Sequence, residues 1–306
     1  MLDEARRIAV TRHSRAGSRA IMTISSAILI AAIVSLVMTM LCAGMGGIAG
    51  DRTYLSCRRG LLVRSLVAML VLQPAFAVWL CYAFALPASV KLALLGLTIA
   101  PMPPILPSAL MKVRGSRSFE VALSFVVALA SIATVPISLW GFSLFVGAPV
   151  RIDFIRVGWL IVLNIALPVA VGFAGRRLSA ETTARAVTLL TIGAAGILAL
   201  VLVALLLRAR PAIPMLIGNG SMMAIVLLAV AGLGIGHLCG GPARKNRRVL
   251  AMATATRHPA LAIVLASALS PADERVSGVV IAFAVLVAGL AAIPYLPLSR
   301  FTLPRM

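Results

Sequence analysis

The chain has 306 residues, of which 61% are hydrophobic and only 12% are charged. With a mean hydropathy of +1.08, it lies far from soluble domains, in which about a quarter of the residues are charged, and a soluble fold is excluded. The net charge of +20 would favour nucleic-acid binding in a soluble protein. Here the basic residues lie almost entirely in short connectors and tails, so they indicate membrane topology, and no nucleic-acid partner is predicted.

Apolar runs of about 18 residues or more predict transmembrane helices, and about nine such runs follow one another along the chain. They cover residues 21–44, 62–85, 89–111, 119–146, 156–175, 186–207, 212–239, 249–270 and 276–298. The first run is longer than the apolar core of a signal peptide, so we interpret it as a retained helix. The predicted class is an all-α polytopic membrane protein, with the lipid bilayer as its surroundings.

The connectors divide into a strongly basic and a weakly basic set when alternate connectors are assigned to opposite faces. Most lysines and arginines then fall on the face of the C-terminal tail, which the positive-inside rule makes cytoplasmic. The sequence therefore predicts a bacterial inner (plasma) membrane protein with a cytoplasmic C-terminus and an N-terminus outside. The basic tail 1–20 disagrees with the rule, and a helix along the membrane surface or an additional span would explain it.

Two blocks of three spans, 62–146 and 212–298, have similar lengths and enter the membrane from opposite sides. Such pairs are typical of the inverted repeats of secondary transporters. The middle helix of each block is broken by proline, which frees a carbonyl that lipid cannot satisfy. A packing kink would explain either break alone, whereas the pair in register favours two crossed, broken helices. The breaking residues are Pro101, Pro103, Pro104, Pro107 and Pro259.

Arg257 lies near the centre of the eighth run, where an arginine costs about 2.5 to 3.5 kcal/mol on insertion scales. All eight acidic residues fall in tails, connectors or span ends. The guanidinium is thus left with freed carbonyls, water or an anionic ligand such as a carboxylate, sulfonate or phosphate. We predict that Arg257 helps to bind an anion. The alternative is an arginine that bonds only to carbonyls and neutralises the helix crossing.

The residues needed for enzymatic chemistry are not grouped in the spans. The sequence has no glycine-rich phosphate loop, no HExxH and no GxSxG motif, and it places no paired carboxylates at depth. An enzyme is therefore not predicted. The cysteines have no metal-ligand spacing, and Gly232 and Gly236 are spaced to let two helices approach closely.

Several segments resemble the bile acid:sodium symporter family. Residues 247–262, RRVLAMATATRHPALA, resemble its ninth-helix motif, and residues 101–115 followed by 121–124 resemble its broken fourth helix and the start of its fifth. Residues 51–69 and 236–242 are also similar, so the resemblance spans most of the chain. It implies a nine-helix member with a panel domain of spans one, five and six, a core domain of the two repeats, and alternating access between them.

The implied division of the chain has six parts. They are a basic N-terminal tail (1–20), panel helix 1 with its connector (21–60), core repeat 1 (61–147), panel helices (148–210), core repeat 2 (211–299) and a C-terminal tail (300–306).

This chain departs from the family where the resemblance places sodium ligands. Ala253 stands in place of the sodium-binding glutamate and Arg257 in place of the glutamine, while the other substituted ligand positions are Leu106, Pro107 and Ala128. Sodium coupling is therefore doubtful, and no cofactor is predicted. The guanidinium could take the place of the cation, and His258 could carry a coupling proton or serve only as a hydrogen-bonding group.

The sequence thus predicts a secondary transporter of a small organic anion whose site lies between the two broken helices. Arg257 would contact the anion. Hydrogen bonds would come from His258, Thr254, Thr256, Ser108 and Ser124. The alternative is a membrane receptor or scaffold that keeps the fold without transport, and a sealed crossing beside Arg257 would favour it.

Overall fold

The computed structural model describes residues 26–45, 54–55, 57–102, 117–145, 154–175, 179–209, 213–216, 219–269 and 274–295. These residues form helices and no strand, which confirms the all-α class for the part of the chain described. The main helices are α1 (Ser26–Met45), α2 (Arg59–Ala83), α3 (Ala88–Ile99), α4 (Arg117–Phe145), α5 (154–175), α6 (Ala180–Ala209), α7 (Ser221–Cys239), α8 (Arg244–Ala255), α9 (Pro259–Leu269) and α10 (Glu274–Ala292).

Seven helical segments of the described chain are long and apolar enough to cross a membrane. Six of them are α1, α2, α4, α5, α6 and α7, and the seventh joins α8 to α9 across their break. The predicted third and ninth spans correspond in sequence to two shorter apolar helices, Ala88–Ile99 and Val276–Ala292. Polytopic character is therefore confirmed, whereas the helix within the predicted run 89–111 ends at Ile99.

Two of the membrane helices contain a π-helical turn just before a proline. In α2 the turn Ala68–Leu72 precedes Pro74, and in α5 the turn Val162–Ala166 precedes Pro168. A proline has no N–H to donate to the preceding turn, and a π turn shifts the neighbouring bonds by one residue. Each of these helices therefore has backbone carbonyls whose usual partner is missing.

Helix α1 contacts both α5 and α6 closely, and the resemblance assigns these three helices to a panel. A Cβ added to Gly44 of α1 would collide with the Val169 carbonyl of α5, and one added to Gly172 would collide with the Leu41 carbonyl. Between α1 and α6, Ser35 Oγ donates to Ala194 O at 2.9 Å. The backbones can approach this closely because glycine has no side chain at the contact.

The broken pair α8 and α9 lies at the centre of the molecule. Of its most apolar stretch, 94% is buried inside the protein, compared with 17% for α6. Helix α7 packs along α8, because a Cβ on Gly236 would lie 2.6 Å from Ala251 Cα and one on Gly232 would lie 2.9 Å from Ala255 Cα. The predicted packing role of both glycines is confirmed.

Candidate functional site at the helix crossing

Two helix ends meet at the centre of the protein. Helix α3 ends at Ile99, and Ala100 is extended (φ −63°, ψ 143°) because the following proline disfavours the helical conformation of its neighbour. Helix α8 ends at Ala255, and Pro259 begins α9. The His258 N–H donates to Pro101 O at 3.0 Å. We call residues 100–102 together with 256–259 the crossing.

Arg257 is 4% exposed and donates three hydrogen bonds to backbone carbonyls. Its Nη2 lies 2.6 Å from Met69 O of α2, its Nη1 lies 3.3 Å from Ala100 O, and its Nε lies 3.3 Å from Thr254 O. A guanidinium carries five N–H groups, so two remain for another acceptor. The three carbonyls belong to three separate parts of the chain, which the guanidinium ties together.

Each of these carbonyls lacks the donor that a continuing helix would supply four residues later, for an identifiable reason. The donor four residues after Thr254 is His258, whose N–H goes to Pro101 O instead. The residue four positions after Ala100 is Pro104, which has no N–H.

For Met69 O, the π turn in α2 is responsible. The Gln73 N–H donates to Ala68 O, and the next residue is Pro74, which cannot donate. An unpaired carbonyl costs several kcal/mol in the membrane interior. Arg257 therefore supplies donors at three places where the helices cannot.

His258 is completely buried and joins the crossing to α1. The Ala260 N–H donates to its Nδ1 at 3.3 Å, and its Nε2 lies 3.1 Å from Thr39 Oγ1. Because Nδ1 accepts, the network assigns the ring proton to Nε2, which then donates to the threonine. The imidazole is thus held between the start of α9 and the middle of α1.

Replacing Thr39 with valine is expected to lower the free energy of unfolding by about 1 to 3 kcal/mol, because the buried Nε2–H of His258 loses its acceptor. The matched control is Thr188→Val, since that exposed hydroxyl bonds, within the described residues, to Ala184 O of its own helix. Its effect should stay within about 0.5 kcal/mol. Unfolding in detergent measures both variants, and equal effects would contradict a bond between α1 and the crossing.

A small pocket lies beside Arg257, with room for about one water molecule. Gln73 and Thr98 also line it. Gln73 is 2% exposed and donates from Nε2 to Leu228 O at 3.1 Å, but its Oε1 has no partner among the described residues. Gln73 was not among the site residues predicted from the sequence. A polar amide followed by Pro74 inside an apolar run was the signal that could have found it.

The hydroxyl groups expected at the site are placed differently from one another. Thr254 Oγ1 donates to Leu250 O at 2.8 Å and Thr256 Oγ1 donates to Met252 O at 2.6 Å, so both are bonded within α8 and its C-terminal end. Ser124 is buried on α4, and its Oγ has no partner in the described part of the chain. Ser108 lies outside the described residues, as do Pro103, Pro104, Leu106 and Pro107.

Two alanines occupy positions where the resemblance places cation ligands. Ala253 is buried in an apolar cluster with Met69 and Leu123, and Ala128 is buried in the larger apolar core. Neither side chain carries an oxygen that could bind a cation. Within the residues described, no group of three or more His, Cys, Asp or Glu side chains is close enough to hold a metal ion.

Neither protein-family models nor curated proteins match this chain. A fixed, buried cation stands at the junction of α2, α3 and α8, and its hydrogen-bond partners in the described residues are carbonyls rather than carboxylates. Carbonyl dipoles stabilise the charge without cancelling it. The arrangement can accept an anion at the two remaining N–H groups.

Proposed function

We propose that the protein is a secondary transporter of a small organic anion, similar to bile acid:sodium symporters, and that it works by alternating access in a bacterial inner membrane. The observation that carries the proposal is the buried Arg257 guanidinium, which lies where the end of α3 meets the break between α8 and α9. Within the described residues its partners are carbonyls and include no carboxylate. Intramembrane cations usually face a substrate or ion path. The anion would bind between the broken helices and accept hydrogen bonds from the two guanidinium N–H groups that do not donate to the three carbonyls.

The two inverted repeats would each contribute one broken helix. Repeat 61–147 contains α3, repeat 211–299 contains α8 and α9, and the bond from His258 N to Pro101 O at 3.0 Å supports their pairing. Helices α1, α5 and α6 would form the panel, and the close contacts of α1 with both α5 and α6 support a common unit. In alternating access the core moves against this panel. The bond between Thr39 and His258 would then have to open and close in each cycle.

We further propose that Arg257 takes the place of a coupling cation. Its three carbonyl partners are the kind of oxygen that surrounds a small metal ion, yet here they surround a covalently attached charge. A transporter with such a tethered cation would not need sodium. His258 would serve as a hydrogen-bonding link rather than a proton carrier, since both of its ring nitrogens are already engaged.

Transport by purified protein in proteoliposomes tests the role of Arg257. The probes are radiolabelled organic anions of carboxylate and sulfonate type, a bile acid among them. Arg257→Ala is expected to reduce the initial rate about tenfold or more, because a charge-assisted bond is lost. Arg257→Lys should be intermediate, since it keeps the charge without the fork of donors. Arg185→Gln is the control, since this exposed arginine already pairs with Glu181.

A second candidate is a receptor or scaffold that keeps the fold without transport. The observation that favours it is the small size of the pocket beside Arg257, together with the three carbonyls that already engage the guanidinium. In that case wild-type protein would transport none of the anions, and Arg257→Ala would change only stability.

For the transporter proposal, unchanged transport in both Arg257→Ala and Arg257→Lys would show that Arg257 has no part in the mechanism.

A further inference from the structure

A group of seven basic side chains lies on one face of the protein, at the beginnings of α2 and α8. All but Arg247 are well exposed, and Arg247 is half-buried. They are Arg58, Arg59, Arg64, Arg244, Lys245, Arg247 and Arg248. Neither segment 54–64 nor segment 240–250 contains an acidic residue. We call these seven side chains the basic surface.

The two segments are about 190 residues apart in sequence but are bonded to each other. Tyr54 Oη donates to Asn246 Oδ1 at 3.3 Å, and the Arg58 guanidinium lies 4.0 Å above the Tyr54 ring. On the other side, a Cβ built on Gly241 would lie 3.5 Å from Arg64 Nη2. Membrane topology requires only that the charges lie on the correct side. It does not require two connectors to pack into one cationic surface.

Two of the positive charges also lie at helix N-termini, where positive charge is unfavourable. Arg59 is the first residue of α2 and Arg244 the first of α8, and neither helix has an acidic residue in its first turn. The partial positive charge of a helix N-terminus repels such side chains and attracts an anion. A negatively charged group at this surface would relieve repulsion among the seven cations and from both helices.

Apolar side chains beside the basic surface indicate that the anion is attached to an acyl chain. Val63 of α2 is 57% exposed and Leu238 near the end of α7 is 82% exposed. Val63 is next to Arg64 in sequence, and Leu238 is the next-to-last residue of α7, which leads through a short connector to α8. A ligand that meets both kinds of side chain carries a phosphate and a hydrocarbon tail, as a phospholipid does.

We propose that the basic surface binds the phosphate headgroup of an anionic phospholipid, with its acyl chains against the apolar side chains beside it. Arginine pairs well with phosphate oxygens, and juxtamembrane basic residues attract anionic lipids. This site is separate from the crossing and does not depend on the proposed transport. It would fix the position of α2 and α8, the helices that supply Met69 and Thr254 to Arg257.

Native mass spectrometry of the purified full chain tests this lipid site. The probes are phosphatidylglycerol, phosphatidylcholine and glycerol 3-phosphate, the last being a headgroup without acyl chains. Phosphatidylglycerol should bind at least about tenfold more tightly than the other two. Each of Arg59→Gln and Arg244→Gln should weaken its binding about fivefold, and the combination more than about tenfold.

Arg185→Gln removes the same charge from an exposed arginine that already pairs with Glu181, so its binding of phosphatidylglycerol should match that of the wild type. Arg59→Lys and Arg244→Lys keep the charge on the same side of the membrane and should lose about twofold at most. Equal binding of phosphatidylglycerol and phosphatidylcholine would overturn the proposal. So would equal losses in all three glutamine variants, or binding of glycerol 3-phosphate as tight as that of the lipid.

Discussion

Replacing Gly236 with alanine is expected to lower the free energy of unfolding by about 3 kcal/mol or more, whereas Gly234→Ala should change it by less than about 0.5 kcal/mol. A Cβ on Gly236 would lie 2.6 Å from Ala251 Cα and closer still to Leu250 O. Both are backbone atoms of α8, so no side-chain rotation relieves the collision. Helices α7 and α8 would have to move apart, and α8 leads directly to the crossing.

Gly234 is a matched control because it lies in the same helix and a Cβ there would meet no heavy atom within 4 Å. Alanine improves the helix propensity of both positions equally, so the difference between the variants measures the contact. Unfolding in mixed micelles gives both free energies. Equal stability of the two variants would contradict the close approach of α7 and α8 at Gly236. If Gly236→Ala fails to fold, a normal yield of Gly234→Ala still supports the contact.

The helix ends that meet at the crossing could be predicted from the sequence because their cause is local. A proline disfavours helix in the residue before it, and this effect ends α3 near Pro101 and begins α9 at Pro259. The position of Arg257 inside a membrane-spanning run could also be predicted, since it is a single cation among apolar residues. Both features depend on a few neighbouring residues.

The partners of Arg257 could not be predicted in the same way. The Met69 carbonyl is 188 residues distant and is available only because a π turn shifts the bond of Gln73. Neither the turn nor the distance can be deduced from composition. The hydroxyls of Thr254 and Thr256 were expected to face a substrate, but a threonine in a helix can also donate to the carbonyl four residues before it. Tertiary packing decides between these rotamers.

If the guanidinium stands in for a cation, Arg257→Ala should create a binding site for sodium. The variant removes the guanidinium donors from the oxygens of Met69, Ala100 and Thr254. Gln73, whose Oε1 has no partner among the described residues, lines the pocket beside Arg257. With three unpaired carbonyls, we expect a loss of about 3 kcal/mol or more in the free energy of unfolding. Sodium should restore part of it, because an ion that binds only the folded state stabilises that state.

Melting temperatures in sodium, potassium and choline chloride at equal ionic strength measure this effect. Wild-type protein should melt at the same temperature, and transport at the same rate, in all three salts, since its tethered cation already occupies the carbonyls. Arg257→Ala should melt several degrees higher in sodium than in choline, whereas Arg257→Lys, which keeps a positive charge, should respond little. If the melting temperature or the transport rate of the wild type depended steeply on sodium, the proposal that the guanidinium takes the place of the cation would be wrong. An Arg257→Ala variant indifferent to sodium would instead make the arginine a purely structural donor, because carbonyls shaped around a cation should accept another one when the first is removed.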